Sequence, residues 1–286
     1  MPNPTVLINT IPLLEAQASS EIENIVTTTD ALFRHLDDVA GADPATKETL
    51  RYRTALRVGF ELTTERGITA GTARAVCTTI KGEQMDLRAL PGTRIGNPAT
   101  GEITYSPPEG RDRITELLSS WEHFVHRHDG MDPLVRMAVA HYQFEAIHPF
   151  PDGNGRTGRI LNVLMLIEAG LLRQPVLYLS RYLIETKSDY YRLLLAVTAD
   201  EAWEQWLLYI LTGIEETSRS TIRGCDGGRR CPISSGFRLD RSWTRTPRQR
   251  CRPGSHRKRS VGWTPWTGGS GAQATGEQLR CCRVHP

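Results

Sequence analysis

Apolar residues recur at intervals of three and four along most of the chain between residues 21 and 222, as in Leu193, Leu194 and Val197. This spacing places apolar side chains on one face of an α-helix. The regular alternation of strands and helices that is typical of a parallel sheet is not seen. The pattern therefore predicts an all-α fold.

Two buried helices are predicted on either side of a short polar loop. The first starts at Asp132, which can cap the helix, followed by Pro133 in the first turn, and it runs until Pro149 stops it. The second starts within residues 153–156 and ends at Gly170, a residue that suits a left-handed C-terminal cap. Apolar residues lie all around the first helix, which is typical of a buried one.

A β-hairpin is predicted between residues 93 and 105. Short extended segments flank the turn-forming residues 97–101, whose sequence is Asn-Pro-Ala-Thr-Gly, and two prolines at 107 and 108 end the segment. The hairpin lies between the N-terminal helices and the pair of buried helices.

Charge divides the chain into two unlike parts. The net charge is +3, but residues 224–286 hold 13 Lys and Arg against 3 Asp and Glu, which leaves 22 against 29 for residues 1–223. Five of the six cysteines also lie in this basic tail, and the remaining one, Cys77, excludes a disulfide within residues 1–223. The tail cannot build a core of its own, and its mixture of Arg, Trp and Cys resembles translation in a wrong reading frame.

No targeting or membrane segment is recognisable. The first twenty residues lack the basic and apolar regions of a signal peptide, and the longest apolar run, residues 160–172, is interrupted by Asn162 and Glu168. We therefore expect a cytoplasmic protein that has no membrane partner.

The candidate chemistry is concentrated in residues 148–159, with the sequence HPFPDGNGRTGR. Gly153 and Gly155 allow the backbone to approach an anion, and the helix that follows directs its free N–H groups at the same place. Arg156 and Arg159 are three residues apart on that helix, so both can donate to phosphate oxygens. These features indicate a phosphate-binding site.

Two more side chains in this segment suit phosphoryl or nucleotidyl transfer. Asp152 has the carboxylate that can hold Mg²⁺ between phosphates. His148 precedes the loop and has the residue type of a general base that works near neutral pH.

These twelve residues match the Fic signature HxFx(D/E)GNGRxxR at every fixed position, so the chain resembles the Fic family of protein adenylyltransferases. The resemblance implies a Fic-type helical core with a small β-hairpin flap, and the transfer of AMP from ATP to a hydroxyl side chain. It implies that His148 is the base, that Asp152 binds Mg²⁺, and that Phe150 packs in the core. ATP would be bound by the loop and first helical turn and by two tyrosines near the adenine: Gly153, Asn154, Gly155, Arg156, Thr157, Gly158, Arg159, Tyr190 and Tyr191.

Two further segments resemble parts of the same family. Residues 19–24 fit its inhibitory pattern (S/T)xxxE(G/N), in which Ser19 and Glu23 lie one helical turn apart. The resemblance implies that Glu23 pairs with Arg159 and blocks productive ATP binding. The hairpin, including Arg94, Ile95 and Gly96, is similar to the flap that holds a target segment as an added strand.

The resemblance also predicts organisation and partners. We expect an N-terminal helical region at 1–70, a catalytic core at 71–222 and the basic tail at 223–286. The implied partner is a protein with a hydroxyl side chain, which can be the chain itself, and homodimers occur among relatives.

Other functions fit the sequence less well. One alternative is that the same fold transfers another nucleotide moiety or removes AMP. Another is that the basic tail binds nucleic acid through its arginines and tryptophans. Because the composition of the tail resembles a wrong reading frame, we do not expect nucleic acid as a partner. The glycines at 153, 155 and 158 also spell a dinucleotide fingerprint, but they follow a helix instead of a strand. His141 and His148 are seven residues apart without a further ligand motif, so we interpret His141 as polar lining of the site or as a buried, hydrogen-bonded side chain, and not as a zinc ligand.

Overall fold

The computed structural model describes residues 4–36, 39–97 and 102–226. Almost all of the basic tail, from residue 227 onward, lies outside the described residues, as does the turn of the predicted hairpin. The elements of the described part follow one another as α1 (Pro4–Ile22), α2 (Thr29–Arg34), α3 (Pro44–Arg66), α4 (Ala70–Lys81), β1 (Ile95–Asn97), β2 (Glu102–Tyr105), α5 (Arg111–Val125), α6 (Pro133–Ile147), α7 (Asn154–Glu168), α8 (Leu179–Glu185), α9 (Lys187–Asp200) and α10 (Trp203–Asp226).

The two central helices begin and end where their sequence predicts. Asp132 caps α6 by accepting hydrogen bonds from the backbone N–H groups of Leu134 and Val135, and Pro133 occupies the first turn. Helix α7 starts after Gly153, which has a φ of 80°, and is followed by Gly170 with a φ of 72°. Both glycines adopt the left-handed region that other residues rarely enter.

Helix α7 lies at the centre of the core. Every residue from 156 to 166 is buried, because α3, α4 and α6 pack around it. An apolar stripe alone would leave one side of α7 exposed, whereas this helix is covered on all sides. The polar N-terminus of α7 is therefore held in place by the helices that pack around it.

The hairpin is present as predicted. Strands β1 and β2 pair in antiparallel fashion, with Ile95 opposite Tyr105 and an irregularity between Ile95 and Gly96. The Tyr105 hydroxyl donates to the backbone carbonyl of Ala146, 2.9 Å away, and so joins β2 to the C-terminal end of α6. The hairpin is thereby placed beside the loop that follows α6.

The prediction of an all-α fold with one small hairpin is confirmed. Among the residues that the structure describes, we find no helix with the length and apolar character needed to cross a membrane.

Candidate active site

The site is built on the loop between α6 and α7, and Arg88 holds this loop in place. The Arg88 side chain, which is 5% exposed, donates hydrogen bonds to three backbone carbonyls, those of Ile147, His148 and Pro108. Its backbone N–H also donates to the carbonyl of Pro149, at 2.9 Å. Phe150 is completely buried beside Phe144, which confirms its predicted place in the core.

His148 ends α6 in an unusual conformation for a residue with a side chain. Its φ of 50° and ψ of 60° are left-handed, and Arg88 stabilises this backbone by binding the His148 carbonyl. The Nδ1 atom is buried and has no hydrogen-bond partner among the described residues. Burial, together with the positive charge of Arg88, lowers the pKa of His148 to about 4. The imidazole is therefore neutral at pH 7 and able to accept a proton.

Asn154 braces the loop from within. Its Oδ1 accepts a hydrogen bond from the Phe150 N–H at 2.8 Å, and its Nδ2 donates to the Phe150 carbonyl at 2.7 Å. Asn154 is 2% exposed, and Thr157 one turn further along α7 is completely buried. In this structure, the Asn154 amide group thus shapes the phosphate loop, and its predicted contact with ATP stays a prediction.

Gly155 and Gly158 leave room for carboxyl groups. A Cβ atom on Gly155 would collide with the Glu23 carboxylate, and a Cβ atom on Gly158 would collide with the Glu145 carboxyl group. Sequence reasoning assigned Gly155 to the approach of an anionic ligand, and the resemblance counted both glycines among the ATP-binding residues. The structure shows that two acidic side chains of the protein already use the space that they leave.

Arg156 is paired with a carboxylate that the sequence did not indicate. Its Nη1 donates to Oε1 of Glu48 on α3, at 2.7 Å, and the Arg156 side chain is 2% exposed. The same Glu48 oxygen accepts from Lys81 at the end of α4, at 3.0 Å. Lys81 also pairs with Asp152, at 2.6 Å. A chain of alternating charges therefore connects α3 and α4 to the signature loop.

The pKa values of the two acids in this chain follow from these contacts. Burial tends to raise the pKa of Glu48, but hydrogen bonds and charge from Arg156 and Lys81 outweigh it, so that the pKa lies below its usual value. For Asp152, burial likewise raises the pKa, and Lys81 more than compensates. Both carboxylates are therefore ionised at neutral pH.

Asp152 is chemically suited to a magnesium ion. Its side chain is 61% exposed, and the ion usually takes one or two carboxylates in addition to the oxygens of a substrate phosphate. Within the described ranges, no group of three or more His, Cys, Asp or Glu side chains could hold a metal by itself. The donor set thus fits an ion that arrives with phosphates.

Arg159 receives both residues of the predicted inhibitory pattern. Its Nε donates to Oγ of Ser19 at 2.7 Å, and its Nη2 donates to the Ser19 carbonyl and to Oε1 of Glu23, each at 2.8 Å. Ser19 is completely buried in α1. Glu23 follows α1 in a turn that continues into Asn24, with a φ of 61°. The structure thus brings Ser19, Glu23 and Arg159 together across 136 residues or more.

A buried acid fixes the helix that carries Ser19. Glu15 of α1 is 1% exposed and accepts hydrogen bonds from the Ser180 backbone and hydroxyl at the start of α8. The Tyr52 hydroxyl donates to the same carboxyl group at 3.3 Å. Burial raises the pKa of Glu15 against the effect of these bonds. This cluster sets the position of α1 relative to the rest of the protein.

A cavity opens between the loop that joins α6 to α7, the hairpin and α9. Its wall includes the predicted base, the second signature arginine and the predicted inhibitory acid, which are His148, Arg159 and Glu23. Three residues of the hairpin, Ile95, Thr104 and Tyr105, and the two predicted tyrosines, Tyr190 and Tyr191, also line it. Of the other predicted flap residues, Arg94 pairs with Glu109 at 3.1 Å and Gly96 is exposed. The flap residues are therefore spread between the cavity and the solvent.

The two tyrosines at the cavity have different surroundings. Tyr190 is 1% exposed and its hydroxyl is bonded to Nε2 of His141 at 2.9 Å, whereas Tyr191 is 42% exposed. His141 stacks against both Tyr190 and Trp206, and burial lowers its pKa to about 3. The interpretation of His141 as a buried, hydrogen-bonded histidine is confirmed. Tyr191 offers the more accessible ring to a ligand.

Sequence reasoning missed four residues of this site, namely Glu48, Lys81, Arg88 and Glu145. Each one is an ordinary charged residue in or next to a helix pattern, and none belongs to a recognisable motif. Glu48 and Arg156 are 108 residues apart, so no local spacing could have paired them.

Two protein-family models match this chain. A model described as Fic/DOC family N-terminal matches residues 1–61, and one described as Fic/DOC family matches residues 72–166. The protein adenylyltransferase fic-1 of Caenorhabditis elegans is 43% identical over 61 residues, which are 21% of this chain and 11% of that protein. A probable protein adenylyltransferase of Aquifex aeolicus is 40% identical over 68 residues, which are 24% of this chain and 21% of that protein. The matched segments thus span only a small part of these relatives.

Solved structures resemble a larger part of the chain. A Fic family protein from Desulfovibrio desulfuricans has a TM-score of 0.63 at 21% identity, over 78% of this chain and 68% of that one. A Fic domain containing signaling protein from Bacteroides thetaiotaomicron has a TM-score of 0.61 at 20% identity, over 77% of this chain and 85% of that one. At this identity the likeness concerns the fold alone, and it confirms the predicted helical core with a small β-hairpin.

Proposed function

This chain belongs to the Fic/DOC family, and we propose that it is a protein adenylyltransferase that Glu23 inhibits. It transfers AMP from ATP to a Ser, Thr or Tyr hydroxyl of a protein and releases pyrophosphate. One observation carries the proposal: a neutral His148 and a buried Arg159 border the same cavity at the N-terminus of α7.

Nucleotide binding uses the start of α7. The free N–H groups of its first turn and the positive end of the helix favour the phosphates of ATP. Arg159 faces the cavity and can donate two N–H groups to phosphate oxygens once its present acceptors leave. Arg156 adds positive charge from its place beside Glu48. Asp152 would hold Mg²⁺, which would neutralise part of the charge on the phosphates.

The chemical step is a displacement at the α-phosphorus. The hydroxyl oxygen of the target forms a bond to phosphorus, and the bond from phosphorus to the oxygen that bridges to the β-phosphate breaks. His148 accepts the hydroxyl proton, for which its imidazole must be neutral. Because burial and Arg88 keep its pKa low, His148 has this form throughout the neutral pH range.

Glu23 opposes this reaction by occupying Arg159. An ATP phosphate and the Glu23 carboxylate compete for the same guanidinium group. The Glu23 carboxylate also occupies the space next to Gly155, through which a phosphate would approach the loop. A charge-assisted hydrogen bond of this kind is worth about 1.5–3 kcal/mol. This corresponds to roughly a ten- to hundredfold reduction in ATP use.

The hairpin is the proposed docking edge for the target. Ile95 of β1 lines the cavity, while Ile103 of β2 is 57% exposed. An extended peptide can add to the free edge of such a hairpin through backbone hydrogen bonds. A hydroxyl side chain on that added strand would then reach the cavity next to His148.

The test follows the label from α-labelled ATP with Mg²⁺ in wild type, Glu23→Gly and His148→Ala, with the mass gain of the protein as a second readout. We expect labelling by AMP to rise about ten- to hundredfold in Glu23→Gly and to disappear in His148→Ala. Glu21→Gly is the matched control, since Glu21 is an exposed acid at the end of α1, two residues before Glu23. Equal labelling in wild type and Glu23→Gly would contradict inhibition by Glu23, and no transfer by any variant would contradict the proposed activity.

A further inference from the structure

Glu145 is an acidic residue of the cavity for which the proposed reaction has no use. It lies on α6, three residues before His148, and it borders the cavity together with His148, Arg159 and Glu23. Its Oε1 is completely buried and has no hydrogen-bond partner among the described residues. A buried polar atom without a partner is rare and costly, which suggests that it serves the ligand that enters this cavity.

The protein leaves space for this side chain in the same way as for Glu23. The missing side chain of Gly155 accommodates the Glu23 carboxylate, and the missing side chain of Gly158 accommodates the Glu145 carboxyl group. Arg159, which directly follows Gly158, gives its hydrogen bonds to Ser19 and Glu23 and none of them to Glu145. In the cavity wall, two acidic side chains thus lie near Arg159, and of these two only Glu23 is paired with it.

The charged groups around Glu145 act in opposite directions. Burial raises its pKa to about 7, Arg159 of α7 lowers it, and Glu23 after α1 raises it. Tyr190 and Tyr191 of α9 also face it, and both are neutral because burial raises their pKa values. Near neutral pH, Glu145 therefore exists in two forms, an uncharged acid and a carboxylate.

These two forms have opposite consequences for a bound phosphate. Once Glu23 has left, an ionised Glu145 is the acid of the cavity wall that faces Arg159, and it would pair with the guanidinium group and repel the phosphate. A protonated Glu145 does neither, and it can donate a hydrogen bond to a phosphate or ribose oxygen. A phosphate anion at this place in turn favours the protonated form.

We propose that Glu145 is a positioning residue of the nucleotide site: its carboxyl group must carry a proton for Arg159 to bind the phosphates, so that ATP binding takes up a proton at Glu145. This inference rests on the proposed function, because it assumes that nucleotide phosphates reach Arg159. It concerns a residue outside the signature, on the helix that precedes it.

The experiment measures nucleotide affinity in the Glu23→Gly protein, in which Arg159 has lost its carboxylate partner and keeps its hydrogen bonds to Ser19, with and without Glu145→Gln. The ligand is a magnesium-bound ATP analogue with a methylene group between the α- and β-phosphorus atoms, so that no transfer occurs. Glutamine has the shape of glutamate but cannot ionise. Glu23→Gly with Glu116→Gln is the matched control. Glu116 lies on α5, its side chain is 66% exposed, and it pairs with Arg113 of the same helix.

We expect the Kd of Glu23→Gly to rise by up to about tenfold for each pH unit above pH 7, and the Kd of the Glu145→Gln protein to stay nearly constant. Titration of the ligand itself affects both proteins equally. Calorimetry at pH 8 in two buffers with different ionisation enthalpies should show the uptake of about one proton in Glu23→Gly and in the Glu116 control. This uptake should be lost in Glu145→Gln.

Several results would overturn the proposal. The same pH dependence of Kd with and without Glu145→Gln would do so while leaving the adenylyltransferase proposal intact. Failure of every variant to bind the nucleotide would overturn both. If Glu145→Gln does not fold, as judged by its melting temperature, the calorimetry on Glu23→Gly decides by itself, since binding without proton uptake at pH 8 contradicts the role of Glu145.

Discussion

The two arginines of the signature are paired with acids in the same way but on very different supports. Glu48, the partner of Arg156, lies in the first half of the 23-residue helix α3, and it also binds Lys81. Glu23, the partner of Arg159, lies in the turn after α1, and its side chain is 35% exposed. The 2.7 Å and 2.8 Å distances of the two pairs are nearly equal.

The difference shows that the support of an ion pair, and not its geometry, decides whether it can act as a switch. Separating Glu48 from Arg156 requires α3 to move, and α3 is packed against α4 and α7. Separating Glu23 from Arg159 requires only a rearrangement of a partly exposed turn. We therefore interpret the first pair as structural and the second as regulatory.

The largest expected effect is on stability, and it tests the distinction between the two ion pairs directly. Glu48→Gln leaves the buried Arg156 without a counter-charge, and we expect a loss of about 2–3 kcal/mol in the free energy of unfolding, less than for a fully buried pair because Glu48 is 22% exposed. Glu23→Gln should cost less, at most about 1.5 kcal/mol, because the partly exposed turn that carries Glu23 can rearrange and let water reach Arg159. Urea unfolding followed by circular dichroism measures both, and equal losses would contradict the distinction between the two pairs.

A smaller effect is expected on activity when the second contact of Arg159 is removed. Ser19→Ala deletes the hydroxyl that accepts from Nε at 2.7 Å, so the inhibitory arrangement should weaken by about 1 kcal/mol and transfer should rise about fivefold. Ser20→Ala is the control, because the Ser20 hydroxyl is buried next to Ser19 and has no hydrogen-bond partner in the described part of the chain. Equal activation by both changes would mean that the packing of α1, and not the bond to Arg159, controls activity.

The smallest expected effect is the pH dependence of stability that Glu48 causes, and it tests whether Glu48 stabilises the fold through its charge. Its pKa in the folded protein lies below the ordinary value of 4.5, because Arg156 and Lys81 outweigh the burial that opposes them. Its contribution to stability is therefore fully present above about pH 4.5 and is lost as the pH falls through the folded pKa. The stability difference between wild type and Glu48→Gln should shrink in acid. A difference that stays constant from pH 6 to pH 3 would show that Glu48 stabilises the fold by packing.

The sequence by itself determined the elements that depend on neighbouring residues. Asp132 and Pro133 start α6, Gly153 and Gly170 flank α7, and turn-forming residues 97–101 separate the strands of the hairpin. The signature likewise placed a histidine, an aspartate and two arginines around one helix start. Such features follow from the sequence because capping, turn formation and helical spacing act over a few residues.

Only the tertiary structure decided that Glu48 meets Arg156 and which groups carry a proton. Glu48 reaches Arg156 across 108 residues, and Arg88, in the segment between α4 and β1, binds the backbone of the signature loop across 60 residues. Glu145 lies close to the signature in sequence, but its place against Gly158 depends on how α6 packs on α7. The low pKa of His148 and the raised pKa of Glu145 arise from burial, which depends on the surroundings of a side chain and not on its neighbours in sequence. A desolvated charge responds to everything folded around it, and for this reason the electrostatics of the site could not be read from the sequence.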